Sequence, residues 1–159
     1  MKTYGFSSRK YFLNVIDPEV AIDANTEEGK KLYVQGGTII AVGKLESGAS
    51  ITGGTAKQTT SWTAETWYAL YNGGELVAAF KTPSQSSSSS GGGGRPGGSS
   101  SQALVVYTSS TPTMTSGVTV SGGTEYFAGA ANIGGTVSGG SSVTLSNYTS
   151  SGGGPGGRP

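Results

Sequence analysis

The chain has no cysteine and no histidine among its 159 residues. That removes disulfides, zinc sites of the Cys/His type, thiol nucleophiles and every catalytic triad that needs an imidazole. Charge is scarce as well: 12% of residues are charged, against roughly 25% in ordinary globular domains. The ten basic residues are scattered and leave a formal net charge of +1, so there is no basic face for nucleic acid or an anionic membrane. Apolar residues are few, at 33%. No run is long enough for a transmembrane helix, and residues 1–10 carry charge without the apolar stretch of a secretory leader. No segment shows the 3.6-residue apolar period of an amphipathic helix. Disordered chains of low hydrophobicity are usually strongly charged. This one is not, and an all-β protein surfaced with Thr, Ser, Asn and Gly suits it better.

What the chain does have is glycine and serine, 29 and 24 residues respectively, together a third of the total. Part of the glycine falls in a recurring unit, a β-branched residue and a spacer before Gly-Gly-Thr. It occurs at residues 34–38, as Ile51-Thr52-Gly53-Gly54-Thr55, as Val120-Ser121-Gly122-Gly123-Thr124 and, shortened, as Ile133-Gly134-Gly135-Thr136-Val137. A glycine pair inside a β-prone run signals a bend or a close backbone approach. The step from Gly36 to Gly53 is 17 residues and from Gly53 to Gly73 it is 20, periods in keeping with a β solenoid. The step from Gly122 to Gly134 is only 12, so the period is not kept. Residues 32–43 read as the last regular rung of such a coil. Asn72-Gly73-Gly74 between β-prone runs predicts an antiparallel hairpin, with Trp67, Ala69 and Tyr71 on one face and Tyr68 and Leu70 on the other. Four segments follow: residues 1–85 as rungs and hairpin, a Ser/Gly-rich flexible loop over 86–101, a C-terminal β cap over 102–149, and a Gly/Pro tail over 150–159.

Little in this inventory points to catalysis. There is no Gly-x-x-x-x-Gly-Lys-Ser/Thr phosphate loop. The nine carboxylates offer no pair of the kind a glycosidase needs, and they read first as solvated turn and edge charges. Asp17, Glu19, Asp23 and Asn25 form the densest oxygen cluster; a hard cation such as Ca²⁺ is the metal such a set would take. The aromatics Trp62, Trp67, Tyr68 and Tyr71 lie within ten residues. Their faces can stack on sugar rings, being apolar with a polar handle, although burial in the hairpin competes for Trp67 and Tyr71. Trp62, set among Thr and Ser, is the one expected at the surface.

Residues 21–25 and 31–43 resemble the later rungs of secreted parallel β-helix carbohydrate-binding domain proteins of gut Bacteroidales and Clostridia. Leu45-Glu46-Ser47-Gly48-Ala49-Ser50, the Trp62 to Tyr71 run, Phe80-Lys81-Thr82-Pro83 and the Gly/Pro tail add to the likeness, which spans residues 17 to 159. The resemblance implies the C-terminal rungs of a right-handed parallel β-helix closed by an antiparallel β-hairpin cap. It implies a non-enzymatic protein, extracellular or on the cell surface, that binds polysaccharide, with acidic plant glycans among the candidates and Ca²⁺ in keeping. A monomer without nucleic-acid or membrane-inserted partners is expected. The rival expectation is a purely structural, adhesin-like cap with no ligand of its own.

Overall fold

The computed structural model describes residues 12–22, 29–45, 48–84 and 103–149. In chain order the strands are β1 (Phe12–Ile22), β2 (Tyr33–Val34), β3 (Thr38–Leu45), β4 (Ser50–Ile51), β5 (Thr55–Thr59), β6 (Trp67–Asn72), β7 (Glu75–Lys81), β8 (Leu104–Thr108), β9 (Pro112–Ser116), β10 (Thr119–Ser121), β11 (Thr124–Tyr126), β12 (Ala131–Ile133), β13 (Thr136–Ser138), β14 (Ser141–Val143) and β15 (Ser146–Asn147). They build one five-stranded sheet, β1-β3-β8-β5-β15, and one six-stranded sheet, β11-β12-β7-β6-β9-β14. Two two-stranded ribbons, β2-β4 and β10-β13, accompany them.

Alternation along the strands sets the core, because successive side chains point to opposite faces. From the five-stranded sheet Ile40, Val42, Leu104 and Val106 point inward; from the six-stranded sheet Tyr68, Leu70, Phe80 and Met114 meet them in one buried cluster. Two sheets packed face to face through such alternating residues make a β-sandwich. Tyr68 and Phe80 stack within it, with ring centroids 5.6 Å apart.

This overturns the expected parallel β-helix. Parallel pairing occurs between β1 and β3 and between β2 and β4, while every other described pair is antiparallel. The reason lies where the first two Gly-Gly-Thr units meet. Before their glycines the two copies pair as a coil would, Tyr33 with Ser50 and Val34 with Ile51, at the same 17-residue offset as Gly36 and Gly53. After them β3 and β5 part, and β8 enters between them, antiparallel to both. All five residues of β8 are buried, so a strand from beyond the Ser/Gly-rich segment takes the place that a next rung would have occupied. The strands before and after that segment therefore share both sheets, and residues 86–101 and 150–159 lie outside the described residues.

The Gly-Gly units are corners at which the chain leaves a sheet. At the first pair of corners, Val34 and Ile51 fold onto the outer face of the five-stranded sheet, against the cluster of Ile39, Ala41, Val105 and Tyr107. Tyr107 donates its phenolic hydrogen to the Thr52 carbonyl at 2.7 Å, and burial pushes its pKa up, so it keeps the proton it donates. Space here is tight: a Cβ on Gly54 would lie 2.6 Å from the Tyr107 hydroxyl and would also run into the Thr108 carbonyl.

The second pair of corners works in the same way on the other sheet. Residues 119–138 form one hairpin whose register runs unbroken through Gly122-Gly123 and Gly134-Gly135. Its far half, β11-β12, joins the six-stranded sheet beside β7. Its near half, β10-β13, crosses that sheet's outer face. Asn132, which shares that face with Ala79, donates to the Gly122 carbonyl at 2.8 Å. At the other end a Cβ on Gly140 would lie 2.7 Å from Cγ2 of Thr115, a residue paired with Ala69 on the same face. Ala69 and Ala79 are buried although both point away from the core, and the ribbon passing over them accounts for this. At the hairpin's tip Phe127 and Ala128 hold positive φ, 54° and 53°.

The expected hairpin between β6 and β7 forms, with its turn one residue later than Asn72-Gly73. Asn72 pairs with Glu75, and Gly73 and Gly74 take the two positive φ values that a two-residue turn of this hand requires. The Asn72 side chain reaches the next turn instead, accepting from the Ser110 amide at 2.7 Å and donating to the Ser109 hydroxyl at 2.9 Å.

The space at the two corners differs enough for a paired test. Gly36 has open space where a Cβ would be, so Gly36→Ala should change stability by less than about 1 kcal/mol. Gly54→Ala should cost about 3 kcal/mol, the overpacking having backbone and a fixed phenol to push against. Urea unfolding of the two variants measures the contrast.

Candidate functional site

A cleft of about 510 Å³ opens between the two sheets at the edge where β14 and β15 lie. Thr144 and Leu145 alone join those two strands, one in each sheet, and this short crossing stitches the edge. Val143 and Leu145 pack onto the inner core. One wall comes from Gln58 and Thr59 on β5 and Ser146 on β15; the other comes from Ser116 on β9 and Ser142 on β14, with Tyr68 on β6. Thr60, Ser61 and Thr63, in the segment after β5, with Val143 on β14 and Thr144 after it, complete the lining. Ser and Thr residues therefore dominate the lining, with Gln58, Tyr68 and Val143 among them, and no charged residue is among the described residues that line it.

The segment over residues 60–66 is held by hydrogen bonds rather than by apolar packing alone. Thr82, buried at the end of β7, donates from Oγ1 to the Thr63 carbonyl at 2.6 Å and accepts the Thr66 amide at 3.0 Å. The Thr66 hydroxyl donates to the Ala64 carbonyl at 2.9 Å, and Glu65 turns the chain with φ of 50°. The Thr63 amide donates to the Tyr68 hydroxyl at 2.9 Å. At the head of the segment the Ser61 amide donates to Thr59 Oγ1 at 3.1 Å. A wall fixed in this way loses little conformational freedom when a ligand arrives.

The structure divides the four aromatic candidates. Tyr68 lines the cleft. Trp62 sits on the same side, between lining residues Ser61 and Thr63; it is half-buried and packs against the inner core, where surface exposure had been expected. Trp67 and Tyr71 point the other way. Trp67 pairs with Lys81 on the outer face, and its carbonyl accepts the Gly117 and Val118 amides at the root of the crossing ribbon. The strand's period of two separates these residues, so the four form no single platform. Of the oxygen cluster, Asp17 and Glu19 fall on β1, where their side chains are outside the described ones. Asp23 and Asn25 lie outside the described residues. Among the described residues no group of three or more Asp or Glu comes together.

The hydroxyl residues of the cleft went unread in the sequence. In a chain so rich in Ser and Thr, single residues such as Ser116 or Thr144 carry no signal until the sheets bring them together. Comparison with known proteins finds no matching family model, no matching curated protein and no matching solved structure.

Thr82 gives this arrangement a direct check. Thr82→Val keeps the shape and leaves the Thr63 carbonyl and the Thr66 amide without their partner. It should cost about 1–3 kcal/mol and speed hydrogen exchange at the Thr66 amide, both readable by NMR-detected exchange.

Proposed function

We propose that this chain binds polysaccharide without transforming it, and that the ligand enters the cleft between the sheet edges. The observation that carries the reading is the lining: Ser and Thr residues, with Gln58, Tyr68 and Val143 among their neighbours, surround a space of about 510 Å³, inside the roughly 300–1,000 Å³ range of ligand sites. Sugars present many hydroxyls that both donate and accept, and Ser, Thr and Gln side chains do the same. Tyr68, whose ring is buried against Phe80, supplies its phenolic hydroxyl as a polar tip at the cleft. Trp62 supports the wall from behind. A chain with this role acts outside the cell or on its surface, where polysaccharide is met.

Thr144 is exposed at the cleft and offers a way to close it without touching the core. In affinity electrophoresis through gels loaded with soluble polysaccharides, the wild-type chain should be retarded by at least one of them. Thr144→Trp should abolish that retardation while leaving the unfolding midpoint unchanged. Retardation that survives the blocked cleft would place binding elsewhere and refute this site.

A further inference from the structure

We infer that the cleft is selective for neutral glycans and that the Tyr68 hydroxyl is its specificity-determining hydrogen-bond donor; this rests on the carbohydrate reading above. The first ground is charge. Among the described residues no Lys or Arg lines the space, and the nearby Lys57 has its ammonium on the Asn147 side-chain oxygen at 2.7 Å. The carboxylate of an acidic sugar would have to leave water with no cation among the described lining residues to meet it, which is costly for an ionised group. A neutral sugar hydroxyl loses only hydrogen bonds that the Ser and Thr oxygens can replace.

The second ground is the geometry at Tyr68. The ring is buried, with 2% exposure, and stacks on Phe80, so the phenol cannot swing. Its oxygen already accepts the Thr63 amide at 2.9 Å. A phenol has one hydrogen to give. With the acceptor side taken by a backbone amide that is itself anchored through the Thr82 hydroxyl on the Thr63 carbonyl, that hydrogen is left for the cleft. The arrangement turns a group that could donate or accept into a fixed donor. It will favour a ligand oxygen with a lone pair to present, such as a hydroxyl or ring oxygen of a sugar. Sites built to hydrogen-bond a particular ligand group discriminate strongly, because the partner left behind is buried and unpaired.

The test uses the full chain and a set of soluble polysaccharides in affinity electrophoresis: hydroxyethylcellulose, xyloglucan and galactomannan as neutral probes, polygalacturonate and alginate as acidic ones. Wild type should bind at least one neutral probe about tenfold more tightly than either acidic one. Tyr68→Phe, which keeps the ring and its stacking, should weaken that binding by about tenfold, with a folded amide spectrum. Binding to a neutral probe that Tyr68→Phe leaves unchanged would remove the donor role. Tighter binding to polygalacturonate or alginate would overturn the selectivity while leaving carbohydrate binding intact. Retention by none of the five would bring down the carbohydrate reading itself, and this inference with it.

Discussion

Everything distinctive in this fold depends on the close approach at the Gly53-Gly54 corner. There the Tyr107 hydroxyl is bonded to the Thr52 carbonyl, and the Gly54 backbone lies against both that phenol and the Thr108 carbonyl. The contact fixes two things at once. It bends the chain so that β4 leaves the plane of β5, and it locks β8 into the gap between β3 and β5. With β8 in place the five-stranded sheet is complete and its inner face can meet the six-stranded sheet. Without it the two copies of the repeat have each other as the nearest partners, in the parallel register they already share at β2 and β4.

The same device on the second sheet explains why a chain so poor in apolar residues can cover its surfaces. The β2-β4 and β10-β13 ribbons each fold back over an outer sheet face. Small residues lie beneath the second one, where Ala69 and Ala79 stand in positions that a bulkier side chain would fill. The outer faces thus gain some burial without adding to the central core. The arrangement also decides which aromatics can meet a ligand. Trp67 shares its face with the ribbon, and Tyr68 is left beside the open edge.

How much of this was legible in the sequence follows from which contacts are local. The β6-β7 hairpin could be read because Asn72, Gly73 and Gly74 announce it within a few residues, and the division of Trp67 and Tyr71 from Tyr68 follows from strand alternation alone. The corners were visible as Gly-Gly pairs, and their bending role was anticipated. What they lead to was not. A β-branched run such as residues 38–42 reads the same whether its neighbour is parallel or antiparallel. The neighbour that wins, β8, lies beyond a Ser/Gly-rich segment that carries no pairing information. The regular step from Gly36 to Gly53 therefore suggested a coil, and among the described strands the coil persists only in the two-residue β2-β4 ribbon and the β1-β3 pair. The cleft was illegible for a related reason. Its hydroxyls come from five strands and their connections, and only Tyr68 among them stood out by residue type.

Backbone NOEs between amide and α protons decide whether β8 is wedged between two copies of one repeat. Cross-strand contacts are expected from residues 104–108 to both 39–42 and 55–59. None is expected between 39–42 and 56–59, which lie two strand spacings, roughly 10 Å, apart. Direct contacts between those two segments, Thr38 beside Thr55 and Ile39 beside Ala56, with β8 absent from between them, would contradict the wedging and restore a coiled arrangement.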